Sequence, residues 1–128
     1  MYIKQLKFGN WYIWEAEGKK YPMQVDNKTY NLKEVDISNF QPIVISDKIL
    51  KENGFVITEI GVILDCKLTT DSYNIKIELN KNNNFSTIKI ENGWYSYFGL
   101  ILYVHELQQL LDVCFIKKDI TVSVESVN

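Results

Sequence analysis

From Ser72 to Asn80 the chain reads SYNIKIELN, with Tyr73, Ile75, Ile77 and Leu79 alternating with Asn74, Lys76, Glu78 and Asn80. Successive side chains on a strand point to opposite faces, so this strict period of two predicts a β-strand with one buried and one solvated face. A strand of this kind needs neighbours, and the flanking sequence supplies them. Lys81-Asn82-Asn83-Asn84 predicts an exposed hairpin loop, FSTIKIE a returning strand, and Asn92-Gly93 a two-residue type I′ turn into WYSYF. Upstream, FVITEIGVILDCKLT contains two apolar runs separated near Glu59-Ile60-Gly61. The expectation is an antiparallel meander of four or five strands.

The opening third has the same character. NWYIWEA is aromatic and branched, and Glu17-Gly18-Lys19-Lys20 carries a turn signal before PMQVD, which predicts a hairpin. TYNLKEVDI predicts a third strand and a small curled sheet. Pro42 lacks an amide hydrogen and biases Gln41 toward extended geometry, so Phe40-Gln41-Pro42 is expected to break that sheet. Ser46 suits the N-cap of a two-turn helix over DKILKEN, and Gly54 suits the left-handed position after it. In LILYVHELQQLLDVCF, Leu100, Val104, Leu107, Leu111 and Cys114 recur at steps of four and three, which predicts an amphipathic helix packed on the sheet. ITVSVESV alternates and predicts a last strand. The fold class is therefore α+β, mainly antiparallel sheet: a hairpin or three-stranded curl plus a meander, one short helix and one longer helix. At 128 residues and 46% hydrophobic, residues 1–128 are expected to form a single domain.

Charge and residue type narrow the functions available. The formal net charge is -2, so no positive field draws in a polyanion and no DNA partner is expected. All fourteen basic residues are Lys, as an AT-rich genome favours, and mechanisms built on arginine fingers or clamps are excluded. Cys66 and Cys114 form no metal-type pattern with the only histidine, His105, and read as small core residues. No signal peptide and no run of eighteen apolar residues is apparent, which predicts a cytoplasmic protein with no membrane contact.

No catalytic constellation emerges. His105 adjoins Glu106, but neighbours on a helix point about 100° apart and cannot converge on one proton or metal. There is no nucleophile elbow or Gly-rich phosphate loop, since the six glycines are scattered singly. Asp65 with Asp71, or Glu78 with Glu91, could hold a hard cation only if strands brought them together. The expectation is a non-enzyme with no catalytic residue, cofactor or metal.

Aromatic clusters are the remaining signal. Trp11, Tyr12 and Trp14 occupy both faces of one short strand, and Trp94, Tyr95, Tyr97 and Phe98 do the same in another. Either both faces of these strands are covered, or one is a protein-binding surface of the Trp- and Tyr-rich kind. A further use is stacking of single-stranded bases, as in a small RNA-binding module, with Lys4, Lys7, Lys19 and Lys20 as the nearby cations.

Three segments taken in order, FGNWYIW, FQPIVISDKILKENGF and YVHELQQLLDVCFIKKDITV, resemble a group of small phage and prophage proteins of the Bacteroidota. That group runs GNW, then QPI with a short helix ending in GF, then YVHxLQxL. The resemblance implies a mobile-element accessory protein in a bacterial host cell that binds a host protein or ribonucleoprotein complex stoichiometrically. An anti-CRISPR-type inhibitor of a nuclease effector is the prominent example.

Overall fold

The structure, a computed structural model, describes residues 9–25, 40–82 and 86–128. Two antiparallel sheets make up most of it. The first has the order β2-β1-β3, from β1 (Trp11–Ala16), β2 (Lys19–Gln24) and β3 (Phe40–Pro42). The second is a meander of five strands in sequence order: β4 (Val56–Ile60), β5 (Ile63–Thr69), β6 (Tyr73–Asn80), β7 (Ser86–Asn92) and β8 (Tyr95–Ile101). Among the described residues there are also three helices: α1 (Asp47–Glu52), α2 (Val104–Val113) and α3 (Val124–Val127).

Local chemistry accounts for the hairpins. Glu17 and Gly18 both have positive φ, 52° and 78°, between the paired residues Ala16 and Lys19, which is the type I′ pattern suited to strand twist. In the meander, Gly61-Val62 and Gly93-Trp94 join β4 to β5 and β7 to β8. Only the glycine of each pair is left-handed, with φ of 60° and 59°, which is the type II′ pattern. The turn expected at Asn92-Gly93 is therefore shifted by one residue. Asn92 ends β7 opposite Tyr95, and its side chain donates to the Cys114 carbonyl at 2.7 Å.

Pro42 does not break the first sheet. It lies opposite Tyr12 in β3, an edge strand among the described residues, where a missing N–H can be tolerated. The third strand expected over Thr29–Ile37 lies outside the described residues.

The core lies on the inner face of the meander. Ile75 faces Ile90, and Ile77 lies between Cys66 and Ile88, all of them at most 1% exposed. Val104, Leu107 and Leu111 of α2 and Ile49 and Leu50 of α1 cover this face. Each such side chain contributes roughly 1.5–3 kcal/mol before entropy is counted. Ser46 caps α1 as expected, accepting from the Ile49 N–H at 3.3 Å.

α2 is shorter than its apolar stripe predicted. Leu100 belongs to β8, where it pairs with Thr87 and is 65% exposed, because strand pairing with β7 continues through Ile101. The helix starts after Tyr103, where Glu106 Oε1 accepts from the N–H groups of Leu102 at 3.0 Å and Tyr103 at 2.8 Å. Gln108 on α2 ties the helix to the first sheet, accepting from the Trp11 N–H at 2.9 Å and donating to the Gly9 carbonyl at 2.7 Å.

The expected last strand does not form. Ile120 and Val122 point inward, but the backbone between them is paired by a side chain rather than by a strand. Asn53 Oδ1 accepts from Thr121 N–H at 2.9 Å and Asn53 Nδ2 donates to Thr121 O at 2.8 Å. Beyond it, Ser123 caps the single turn of α3.

Candidate recognition surface

The two aromatic clusters have opposite fates. In β1, Trp11 and Ile13 pack into the main core, while Tyr12 and Trp14 pack with Val25 and Met23 in a second cluster. Both faces of this central strand are thus covered. Tyr12 is 1% exposed and stacks on the His105 ring at 5.1 Å, so it is a core residue and drops out of the contact surface. Trp11 is half-buried and donates from Nε1 to the Ile120 carbonyl at 2.6 Å. Trp14 is half-buried as well. Of the three aromatics of β1, none is fully exposed.

In the meander the cluster divides. Tyr97 leans back over Gly99, where an added Cβ would lie 2.6 Å from its hydroxyl, and packs against the main core. Its role is structural. Trp94, in the β7–β8 turn, is 100% exposed, and Tyr95 is 52% exposed.

A third aromatic joins these two. Phe115 is 68% exposed, and its ring lies 4.9 Å from that of Tyr95, tilted by 49°. Asn92 holds the two segments together through its bond to Cys114.

The backbone beneath Phe115 is unusual. Its N–H bonds to Asp112 O at 3.1 Å and the Ile116 N–H to Leu111 O at 2.8 Å, the two bonds of a Schellman motif closing α2. This motif needs a left-handed residue after the C-cap, normally glycine, and Phe115 takes that place with φ of 60°. α1 ends in the same two bonds, Gly54 N–H to Lys51 O and Phe55 N–H to Leu50 O, with Gly54 at φ 91°. A left-handed conformation costs a residue with a Cβ roughly 1–2 kcal/mol. Sequence reasoning passed over Phe115, although the absence of glycine in DVCFIKK, against its presence in KENGF, was visible.

Other groups offer less chemistry. His105 is stacked between Tyr12 and Tyr103, the latter at 5.5 Å. Cys66 is buried, and desolvation, reinforced by the charges of Asp47 and Asp65, pushes its thiol up to about 11, while burial also raises Cys114. Neither is poised as a nucleophile at neutral pH. Among the described residues no three His, Cys, Asp or Glu side chains gather as metal ligands. The carboxylates considered from sequence are not matched in register: Asp65 faces Glu78, and Glu91 faces Asn74.

The outer face of the meander carries a row of like charges. Lys67 faces Lys76, Lys76 faces Lys89 and Lys89 faces Phe98. Each Lys is bonded along its own strand to a carboxylate, Asp65 at 3.5 Å, Glu78 at 3.1 Å and Glu91 at 3.1 Å. The face is therefore balanced in charge and projects no field toward a polyanion.

No helix among the described residues is long and apolar enough to cross a membrane. No family model, curated protein or solved structure matches the chain.

Proposed function

We propose that the protein is a non-catalytic recognition module that binds a partner protein through Trp94, Tyr95 and Phe115. The observation that carries this reading is Phe115: an exposed aromatic ring displayed from a backbone position where glycine would be favoured. Local strain is kept where it serves function, and the ring stands beside a fully exposed Trp. Trp, Tyr and Phe are the residue types enriched where partners bury a central contact. The resemblance to phage and prophage proteins suggests the kind of partner: a host protein or ribonucleoprotein complex, such as a defence nuclease inhibited stoichiometrically. The balanced lysine row and the covered Trp11 cluster count against the RNA-binding alternative.

Site-specific photo-crosslinking in host cells tests the proposal. A photoreactive residue replacing Trp94 is expected to capture a discrete protein that is not captured from Val56 on the far edge of the meander, and Phe115→Gly is expected to abolish the capture. Equal labelling from both positions, or capture that persists in Phe115→Gly, contradicts the reading.

A further inference from the structure

We propose that the recess between the first sheet and α2, walled by Asn10, binds a small free α-amino acid, with its carboxylate toward Asn10 and Lys118 and its ammonium toward Asp112. The recess encloses about 210 Å³. Gly9, Asn10 and Gln24 form its sheet side, Gln108 and Asp112, one turn apart on α2, face them, and the segment from Lys118 to Ile120 closes the end.

The walls are held in place by bonds that use up nearly all their polar groups. The Gly9 carbonyl accepts from Gln24 Nε2 at 2.9 Å and from Gln108 Nε2 at 2.7 Å, while Gln108 Oε1 accepts from the Trp11 N–H. The Ile120 carbonyl accepts from the Trp11 indole, and the Asn10 carbonyl from the Val25 N–H at 2.9 Å. Sheet, helix and C-terminal segment are thus tied together around a preformed space. The exception is the Asn10 side chain, which is 5% exposed and whose Nδ2 has no hydrogen-bond partner among the described residues. Buried amide donors are nearly always paired, so an unpaired one in the wall of a polar recess calls for an acceptor from outside the chain. A side-chain NH₂ only donates, which makes that acceptor an oxygen such as a carboxylate's.

The rim selects among oxygen ligands. Lys118 is half-buried and alternates with the inward-facing Ile116 and Ile120, whereas Asp112 and Asp119 are exposed. Among the described residues none of these three charges is in an ion pair. A phosphate or sulfate would meet two carboxylates against one ammonium, whereas a zwitterion finds a partner for each of its charges. Size points the same way. A space of 210 Å³ has room for roughly seven waters and is smaller than the roughly 300 Å³ at which drug-sized sites begin, so a nucleotide is too large and a short amino acid fits. Trp94, Tyr95 and Phe115 do not line the recess, so this site is independent of the recognition surface proposed above.

Proton–nitrogen correlation spectra of the full chain, titrated with glycine and separately with serine to about 50 mM, test the proposal, with a dissociation constant expected on the order of 1 mM for so few contacts. The side-chain amide resonances of Asn10 are expected to shift and saturate. N-acetylserine, which lacks the ammonium, and serinamide, which lacks the carboxylate, are expected to bind at least about threefold more weakly than serine. The same loss is expected for serine with Asp112→Asn and with Lys118→Met, rim variants whose thermal unfolding should match wild type. Absence of a saturable shift at Asn10 with both amino acids overturns the proposal. So does N-acetylserine or serinamide binding as tightly as serine, or serine affinity unchanged in both rim variants.

Discussion

α1 and α2 end in the same backbone motif made from different residues. At α1 the left-handed position is Gly54, and the cap residue Asn53 turns its side chain inward to bond the Ile49 carbonyl and both backbone groups of Thr121. At α2 the position is Phe115, and a side chain from another element, Asn92, reaches the carbonyl of the cap residue Cys114. The first terminus uses every group to hold the C-terminal segment on the core. The second accepts backbone strain and turns its aromatic ring to solvent. The difference teaches that α1 ends as a structural joint, whereas α2 ends as a display.

That contrast can be broken at several points. The largest effect is expected for Asn53→Ala, which deletes three bonds and leaves the Thr121 backbone without its partner, so urea unfolding should show a loss of about 2–4 kcal/mol. A loss well under 1 kcal/mol would remove the structural joint from the account. Gly54→Ala comes next. The added Cβ would meet only Leu68 Cδ1 at 3.7 Å, an ordinary contact, so the cost is that of the backbone alone, about 1–2 kcal/mol. This variant measures the strain of the motif with no packing term and calibrates what Phe115 must bear. Trp94→Ala should have the smallest effect, within about 0.5 kcal/mol of wild type, because the ring touches solvent on all sides. A larger drop in the thermal midpoint would show that the tip is part of the fold.

Legibility in the sequence followed the length of the pattern. The alternation from Tyr73 to Leu79 and the Ser46 cap were read correctly because each is a local rule acting without competition. Leu100 was misassigned because the helical stripe overlaps a strand pattern, and only pairing with β7 decides between them. ITVSV was misread because alternation reports which side chains are buried, not what bonds the backbone; here Asn53, 68 residues away, does that work. The aromatic clusters were visible as composition, but their exposure depends on the strand's place in its sheet. β1 is central and covered on both faces, while Trp94 sits at a turn.

The most direct test of the central claim is the stability of Phe115→Gly in urea, measured against wild type. Removing an exposed ring and relieving a left-handed Cβ-bearing residue, less the added entropy of glycine in the unfolded chain, should leave the protein more stable by about 0.5–1 kcal/mol. A loss of about 1 kcal/mol or more would mean that Phe115 is held in place by its packing rather than displayed at the expense of stability, and would contradict the account.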